Sequence, residues 1–502
     1  MQKNIILTTF NARYSHSSFS LRYLYANLHE YQEQTKILEF VINTDVATTA
    51  EKILAFNPKI VGVSVYIWNV NECSELIQLI KKISPQTTVV IGGPEVSYQP
   101  FRTDISKADY IIQGEGEEQF YILCQDIFSG HQPKEQILSP KMVDIKNIKL
   151  PYEYYDETDI AHRHIYIEMS RGCPYLCEFC ISSLDNKMRY FDLETMLNEI
   201  EKLWQKGIRN FKFVDRTFNL NMKYATKLLD YFLSKEDQYF LHFEVIPDNF
   251  PERLLEKLRA FPKGSLQLEV GIQTLTPETG LRISRPLNLE KIEHNIRYLS
   301  EHTTAHMHLD LILGLPGQTL EEIKNDLNKL MSFSSCEVQV GILKKLSGTA
   351  IKRHDETYSM IYSDMAPYDV LSTSTLDFST MQQLKRFARF WDIYYNSGNF
   401  QHSLKLLFSD DVYTNFMEFS IYVYNINEAT FKISLERAGE FLFNFLTDIK
   451  QIDKQKVAEM IAKDTLKIRG RRPAKWLLPY IKHLDIEKKE INKALKRQEI
   501  HE

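Results

Sequence analysis

A chain of 502 residues is too long for a single hydrophobic core, so two to four domains are expected. A hydrophobic content of 43% is that of a globular protein, and no apolar run approaches the ~18 residues of a membrane span. A net charge of -5 gives no general case for a nucleic-acid partner, and six sparse cysteines point to a reducing compartment, the cytoplasm, rather than to a disulfide framework.

Strand and helix signals alternate over residues 1–130. Short apolar strands are predicted at Ile5–Thr8, Ile37–Phe40, Lys59–Tyr66, Thr88–Gly92 and Tyr110–Gln113, with helical stretches between them, the first near Ser18–Tyr31. The opening MQKNIILTTF reads as a strand rather than a signal sequence. Five strands alternating with helices predict a flavodoxin-like, doubly wound parallel sheet. Ligands of such sheets bind past the carboxyl ends of the strands.

The segments past those ends are polar and rich in glycine. The first strand runs into NARYSHSSFS with His16, and the third carries Ser64 and runs into YIWN, with Tyr66, Trp68 and Asn69. The fourth runs into GGPEVSY (Gly92, Gly93, Pro94, Glu95) and the fifth into GEGEEQF (Gly114, Glu115, Gly116, Glu117). Glycines at these places let a ligand approach the backbone closely, and the two glutamates offer acceptors. Trp68 serves equally well as an ordinary packing residue. Residues 131–164 show little periodicity, include Pro133, Pro140 and Pro151, and read as a linker.

Residues 165–350 alternate again. Strands fit at Ile165–Ser170, Phe211–Asp215, Leu241–Ile246, Leu266–Ile272, His306–Leu313 and Val338–Leu343. Six such βα units predict a partial (βα)6 barrel. Side chains alternate across a strand, so Leu266, Leu268, Val270 and Ile272 face the helices while Gln267, Glu269, Gly271 and Gln273 face inward. On the next strand Leu309, Leu311 and Leu313 face out, and His306, His308 and Asp310 face in. Glu168, Asp215, Glu244 and Gln339 fall inward by the same count. A closed barrel fills itself with branched apolar residues; this polar lining predicts an open barrel with a wet or ligand-filled lumen. In the HxxxHxH of His302, His306 and His308, His302 belongs to the preceding helix. The three read as structural or substrate-contacting residues rather than as a metal site.

Between the first two of these strands stands CPYLCEFC, with Cys173, Cys177 and Cys180 at C-x3-C-x2-C spacing. Three thiolates from one loop suit three irons of a cubane iron–sulfur cluster and leave the fourth iron open. A structural zinc wants four ligands, and no fourth Cys or His stands near; His162 and His164 precede a predicted strand. Cys73, Cys124 and Cys336 are isolated among apolar residues and read as small buried side chains. Residues 351–502 are mostly helical, with aromatics at helical spacing that read as a core (FARFWDIYYNSGNF, FMEFSIYVYNI, FLFNFL). KIRGRRPAKW (Lys467–Trp476) reads as a solvated basic turn, and residues 484–502 as a charged amphipathic helix.

The cysteine spacing, with Phe179 before the last cysteine, resembles the signature of the radical S-adenosylmethionine (SAM) superfamily. IGGPE and GEGE at adjacent strand ends resemble the cobalamin-binding domain that precedes the core in one large subclass. VDRTFN (Val214–Asn219) occupies the place where the superfamily recognises the SAM amino group. EVGIQT (Glu269–Thr274), DLILGLPGQT (Asp310–Thr319) and GILKKLSGTAI (Gly341–Ile351) resemble its fourth, fifth and sixth strand-end motifs. The remainder is similar to an uncharacterised domain that follows the core in one branch.

The resemblance implies domains at 1–130, 165–350 and 351–502, with the linker between the first two. It implies a 4Fe–4S cluster on Cys173, Cys177 and Cys180. SAM would be met by Phe179, Asp215, Glu244, Glu269, Gln273, Asp310 and Gly314, and by Arg285 unless that residue forms a surface salt bridge. Cobalamin would be met by His16, Ser64, Tyr66, Trp68, Gly92, Gly93, Pro94, Glu95, Gly114, Glu115, Gly116 and Glu117. Methionine synthase-type cobalamin domains carry a DxHxxG motif that is missing here, and YSHSS does not match it. Cobalt is therefore expected without a histidine on its lower face, where Tyr66, Trp68 and Asn69 would lie.

The implied activity is methyl transfer to an unactivated carbon through a 5′-deoxyadenosyl radical. A non-methylating rearrangement or cyclisation by the same cofactors stays open. A non-catalytic cobalamin or redox sensor is disfavoured by the intact CPYLCEFC. A methylthiotransferase would carry three cysteines in its N-terminal domain, where only Cys73 and Cys124 stand. The expected partners are a substrate that the sequence does not name and a one-electron reductant such as flavodoxin or ferredoxin; neither a membrane nor nucleic acid is expected.

Overall fold

The computed structural model describes residues 3–482 except 103, 140–141, 334–335, 409–410 and 469. The helix expected over 484–502 lies outside the described residues, as do Pro140 and Arg469 of the basic turn. The chain packs into two compact units. One holds residues up to 243 with 344–353 and 362–369; the other holds 244–343, 354–361 and 370 onward. Compactness thus divides the chain elsewhere than at the domain limits expected near residues 130, 165 and 350.

In the first unit, strands β1 (Ile5–Asn11), β2 (Thr35–Val41), β3 (Ile60–Ser64), β4 (Thr88–Gly92), β5 (Tyr110–Ile112) and β6 (Ile137–Leu138) form a parallel sheet in the order β2-β1-β3-β4-β5-β6. All seven residues of β1 are buried, because both faces are covered. Ile6 and Phe10 enter one apolar core, and Ile5 and Leu7 enter the other. The helix Val70–Ile83 buries Val70, Cys73, Leu76, Ile77 and Ile80, a single helical stripe, against the first of these cores.

The segment expected as a plain linker is more ordered than its weak periodicity suggested. It carries β6 and the helix Glu157–His162, which is closed by a capping box between Asp156 and Asp159. Fully buried Asp159 meets Arg22 at 2.5 Å and Arg163 at 3.2 Å. Glu39 on β2 binds the same two arginines at 3.0 and 2.7 Å. Short-range charge and capping chemistry order this stretch where hydrophobic rhythm cannot.

A second sheet starts at β7 (Ile165–Ile167). The two-residue strands β8 (Ser170–Arg171) and β9 (Arg189–Tyr190) pair antiparallel and bracket the cysteine loop. Then come β10 (Asn210–Phe213), β11 (Phe240–Val245), β12 (Leu266–Gln273), β13 (His306–Leu313) and β14 (Glu337–Ile342), and the order is β7-β10-β11-β12-β13-β14. The pairs β7–β10, β10–β11, β12–β13 and β13–β14 are parallel.

In the second unit, β12 and β13 alternate strictly between buried apolar residues and half-buried ones, and all of the latter but Gly271 and Ile312 are polar. Buried aromatics from three helices, among them Phe387, Trp391, Phe416, Phe419 and Phe441, form an apolar core. The outer edge of β14 is covered in the same unit: the Trp391 indole N–H donates to the Val338 carbonyl at 3.0 Å. The Asn396 amide brackets Val338, donating to its carbonyl at 2.9 Å and accepting from its N–H at 3.0 Å. No helix among the described residues is long and apolar enough to cross a membrane.

Candidate active site

The cysteine loop opens at a turn that requires glycine. Gly172 has φ +87°, and a Cβ there would lie 2.3 Å from the Lys187 carbonyl oxygen. The Cys173 N–H donates to the Asp185 carbonyl at 2.8 Å, and the Cys180 N–H to the Cys177 carbonyl at 3.1 Å. The Ser183 hydroxyl donates to the Cys180 carbonyl at 2.7 Å. Cys173 and Cys177 are buried, and Cys180 and Phe179 half-buried. Glu178, also buried, bonds Arg353, while its carbonyl accepts from the Ile351 N–H at 2.9 Å.

The donor set suits a cluster better than one ion. A tetrahedral zinc with Zn–S bonds of ~2.3 Å would draw sulfurs to about 3.8 Å from one another. Among the described residues, the ligand atoms that lie together within 4.8 Å are those of His306, His308 and Glu337, not the three cysteines. Three thiols of one loop, spread more widely than a single ion needs, fit an iron–sulfur cluster.

Behind the loop, Asp215 lies past the end of β10 and is buried; burial pushes its carboxyl up to about 7. It accepts hydrogen bonds from the Met169 N–H at 3.0 Å and the Ser170 hydroxyl at 2.5 Å. It therefore anchors the residues that lead into the cysteine loop, a correction to its expected place on an inward strand face. Glu168 likewise falls beyond β7. Asp215, Thr217, Asn221, Tyr190 and Tyr224 line a cavity of about 20 Å³, the size of one water.

The acidic residues of GEGE are engaged by the chain itself. The Arg171 guanidinium meets Glu117 at 2.7 Å, Glu168 at 3.0 Å and Glu115 at 3.1 Å. Arg189 meets Glu115 at 2.8 Å and Asp185 at 2.7 Å. Burial would raise the Glu115 carboxyl, but Arg189 and Arg171 hold it below the ordinary carboxylate range. Glu115 and Glu117 thus lock the first sheet to the flanks of the cysteine loop. Sequence reading missed Arg171 and Arg189. The signal was available: two arginines bracket the cysteines, and two glutamates follow a strand end.

At the carboxyl edge of the first sheet, the Ser20 hydroxyl lies 2.8 Å from the Tyr66 hydroxyl and 3.3 Å from the Ser64 hydroxyl. Tyr66 stacks on Trp68, with ring centroids 4.4 Å apart at 6°. The Asn69 side chain braces this turn, accepting from the Tyr66 N–H at 2.7 Å and donating to the Phe10 carbonyl at 2.9 Å. Trp68 stays 47% exposed, so the pair offers an open aromatic platform.

Gly114 has φ +72°, and a Cβ there would meet no atom within 4 Å, while Gly116 begins the helix Glu117–Ser129. Gly93 is different. A Cβ there would lie 2.5 Å from the Val65 carbonyl oxygen, so its glycine serves the fold, a correction to its expected role of making room for a ligand. At Gly92 a Cβ would make only ordinary contact, and Pro94 is exposed. Glu95 accepts from the Tyr368 hydroxyl. His16 is half-buried, bonded through Nδ1 to the Tyr166 hydroxyl, and burial lowers its pKa. An exposed Trp68 stacked on half-buried Tyr66 past β3, and an open glycine turn past β5, suit a flat cofactor such as a corrin at this sheet edge.

In the second unit, Glu244, Glu269 and Asp310 interact electrostatically. Burial, then Glu269 and Glu244, push the Asp310 carboxyl well above its usual range, against the pull of Arg285. Arg285 donates to the Gly271 carbonyl, at the irregularity where Gln273 takes φ +71°. Gly314 has φ +84°, and a Cβ there would lie 2.6 Å from Val370 and 3.0 Å from Met381, so packing explains that glycine.

Three family models match successive parts of the chain. Residues 6–123 match the B12 binding domain, 167–330 the Radical SAM superfamily, and 356–502 a protein family of unknown function, DUF4080. An uncharacterized methyltransferase of Pyrococcus horikoshii, PH0819, is 25% identical over 66% of this chain and 76% of its own length. The cobalamin-dependent radical SAM methyltransferase TokK of Streptomyces tokunonensis is 24% identical over 57% of this chain and 47% of its own, so this chain spans less than half of that relative. The structure of the cobalamin-dependent SAM radical enzyme OxsB, with aqua-cobalamin and SAM bound, shares the fold at a TM-score of 0.61 and 14% identity, over 92% of this chain and 78% of that one. The chain thus carries a region that matches the Radical SAM superfamily, after one that matches the B12 binding domain and before one that matches DUF4080.

Proposed function

We propose that this protein is a cobalamin-dependent radical SAM enzyme that transfers a methyl group to an unactivated carbon. The observation that carries the reading is the cysteine loop, displayed on a glycine-dependent turn in the same compact unit as a B12-type sheet. The names of the two relatives, both methyltransferases, support the transfer reaction. When bound, the cluster and SAM supply a 5′-deoxyadenosyl radical with the input of one electron, and cobalamin supplies a transferable methyl group.

The chain's own residues hold and orient these groups. Cys173, Cys177 and Cys180 hold the cluster, and Asp215 fixes the backbone that leads to them. Arg171 and Arg189 tie that loop to the first sheet through Glu115 and Glu117. Tyr66 and Trp68 give the corrin a flat support, and Gly114 leaves its backbone approachable. Glu244, Glu269, Gln273, Arg285 and Asp310 bind SAM through its ribose, adenine and carboxylate. A one-electron reductant of the flavodoxin or ferredoxin type is required.

The test is anaerobic reconstitution with iron, sulfide and hydroxocobalamin, then reaction with reductant, SAM labelled with a trideuterated methyl group, and cell extract. Release of 5′-deoxyadenosine together with a trideuterated product is expected. Absence of 5′-deoxyadenosine removes the radical SAM reading, and a changed but unlabelled product replaces methylation with rearrangement.

A further inference from the structure

We propose that His306, His308 and Glu337 form a binding site for one divalent transition-metal ion, separate from the cysteine loop. His306 and His308 stand two residues apart on β13 and so share a face. Glu337 opens β14 directly opposite His308. Both imidazoles turn to its one carboxylate: His306 Nε2 lies 3.1 Å from Oε1 and His308 Nε2 3.5 Å from Oε2. The carboxylate is fully buried, and each histidine side chain is 15% exposed.

The spacing is that of ligands around an ion. Metal bonds of ~2.0–2.2 Å at tetrahedral angles place neighbouring ligand atoms about 3.4 Å apart. The observed separations of 3.1 and 3.5 Å straddle that value. A supporting group is in place as well. The Gln267 amide lies 3.2 Å from His308 Nδ1. A half-turn of that amide presents its oxygen, which accepts the Nδ1–H and frees the Nε2 lone pair for a metal. Two imidazoles and one carboxylate suit Zn²⁺ or Fe²⁺ and leave at least one coordination position for another ligand.

The HxxxHxH pattern pointed to the wrong third residue. His302 ends the helix Leu289–His302 with its ring against Tyr298, and Glu337, 29 residues after His308, takes its place. Metal binding here displaces the proton that otherwise bridges His306 and Glu337.

The test uses reconstituted protein whose cysteine loop already carries its iron, dialysed against Zn²⁺ and assayed for zinc and iron. About one zinc per chain is expected. The His306→Gln/His308→Gln double variant should lose the zinc and keep its iron, whereas His302→Gln should keep both. Zinc should raise the thermal midpoint of the parent protein and leave that of the double variant unmoved. No zinc in the parent protein, or equal zinc in the double variant, overturns the site. Zinc lost in His302→Gln overturns the ligand set. Iron is counted separately, so failure of the cluster assignment is distinguishable from failure of this one.

Discussion

Two regions of the first unit, the cysteine loop and the carboxyl edge of the first sheet, both carry motifs that resemble cofactor sites, and the structure uses them differently. The three cysteines stand together in one loop held by backbone hydrogen bonds. At the sheet edge, Gly93 is consumed by the approach of Val65, and Glu115 and Glu117 by Arg171 and Arg189. A thiol triad has few structural uses, so its pattern reads directly as chemistry. Glycine and glutamate have many, and the same motif serves the fold and the ligand at adjacent positions.

The largest effect should come from the region that keeps its chemistry. Replacing Cys173, Cys177 and Cys180 together by Ala should remove all of the about four irons of one cubane, measured by iron and sulfide analysis. Full iron retention would place the cluster elsewhere. The next effect probes the joint between the regions. Arg171→Met leaves three largely buried carboxylates without their shared cation, and the loss of a buried pair typically costs about 3–5 kcal/mol. Urea unfolding should show that loss; a change below about 1 kcal/mol would mean that Glu115, Glu117 and Glu168 are held by other groups.

A smaller contrast separates two glycines of the sheet edge. Gly93→Ala forces a side chain onto the Val65 carbonyl at a left-handed φ, a strain of about 1–3 kcal/mol. Gly114→Ala meets open space and costs only the left-handed penalty, about 1 kcal/mol. Gly93→Ala should therefore lower the thermal midpoint more. Gly114→Ala should weaken cobalamin binding, read by retained corrin absorbance, with less loss of stability. The reverse ranking would return Gly93 to the ligand.

These contrasts mark what was legible in the sequence. Strands defined by apolar alternation were read almost residue by residue: β4 and β13 match, and Leu266–Ile272 of β12 extends by one. The face assignment of Glu269, His306, His308 and Asp310 holds, because period-two burial leaves no alternative. Strand ends were overrun at Glu168 and Asp215, where backbone turns away under side-chain hydrogen bonds that hydropathy does not encode. Glu337 was invisible because it sits among apolar residues, Cys336 and Val338, and its partners come from another strand. The Arg22–Glu39–Asp159–Arg163 network escaped for the same reason: its two halves, Arg22 with Glu39 and Asp159 with Arg163, lie far apart in sequence and meet only once the sheet is built.

The last contrast is one of pH and concerns Asp215, a buried carboxyl that anchors the entry to the cysteine loop. Its folded-state pKa of about 7 stands above the usual 3.8, so between those values the folded protein binds a proton that the unfolded chain has released. Stability from this group is fully present below pH ~4 and is lost as pH rises through about 7, with a slope approaching about 1.4 kcal/mol per pH unit in between. Asp215→Asn keeps one acceptor for Ser170 but turns an N–H toward the Met169 N–H, a loss of about 1 kcal/mol at neutral pH. It should also flatten this part of the pH dependence. Urea midpoints of parent and variant, compared at about pH 5, 6, 7 and 8, should converge as pH rises, since the parent loses its advantage while the amide does not titrate. Parallel curves would mean that Asp215 is charged throughout, with its two hydrogen bonds outweighing burial.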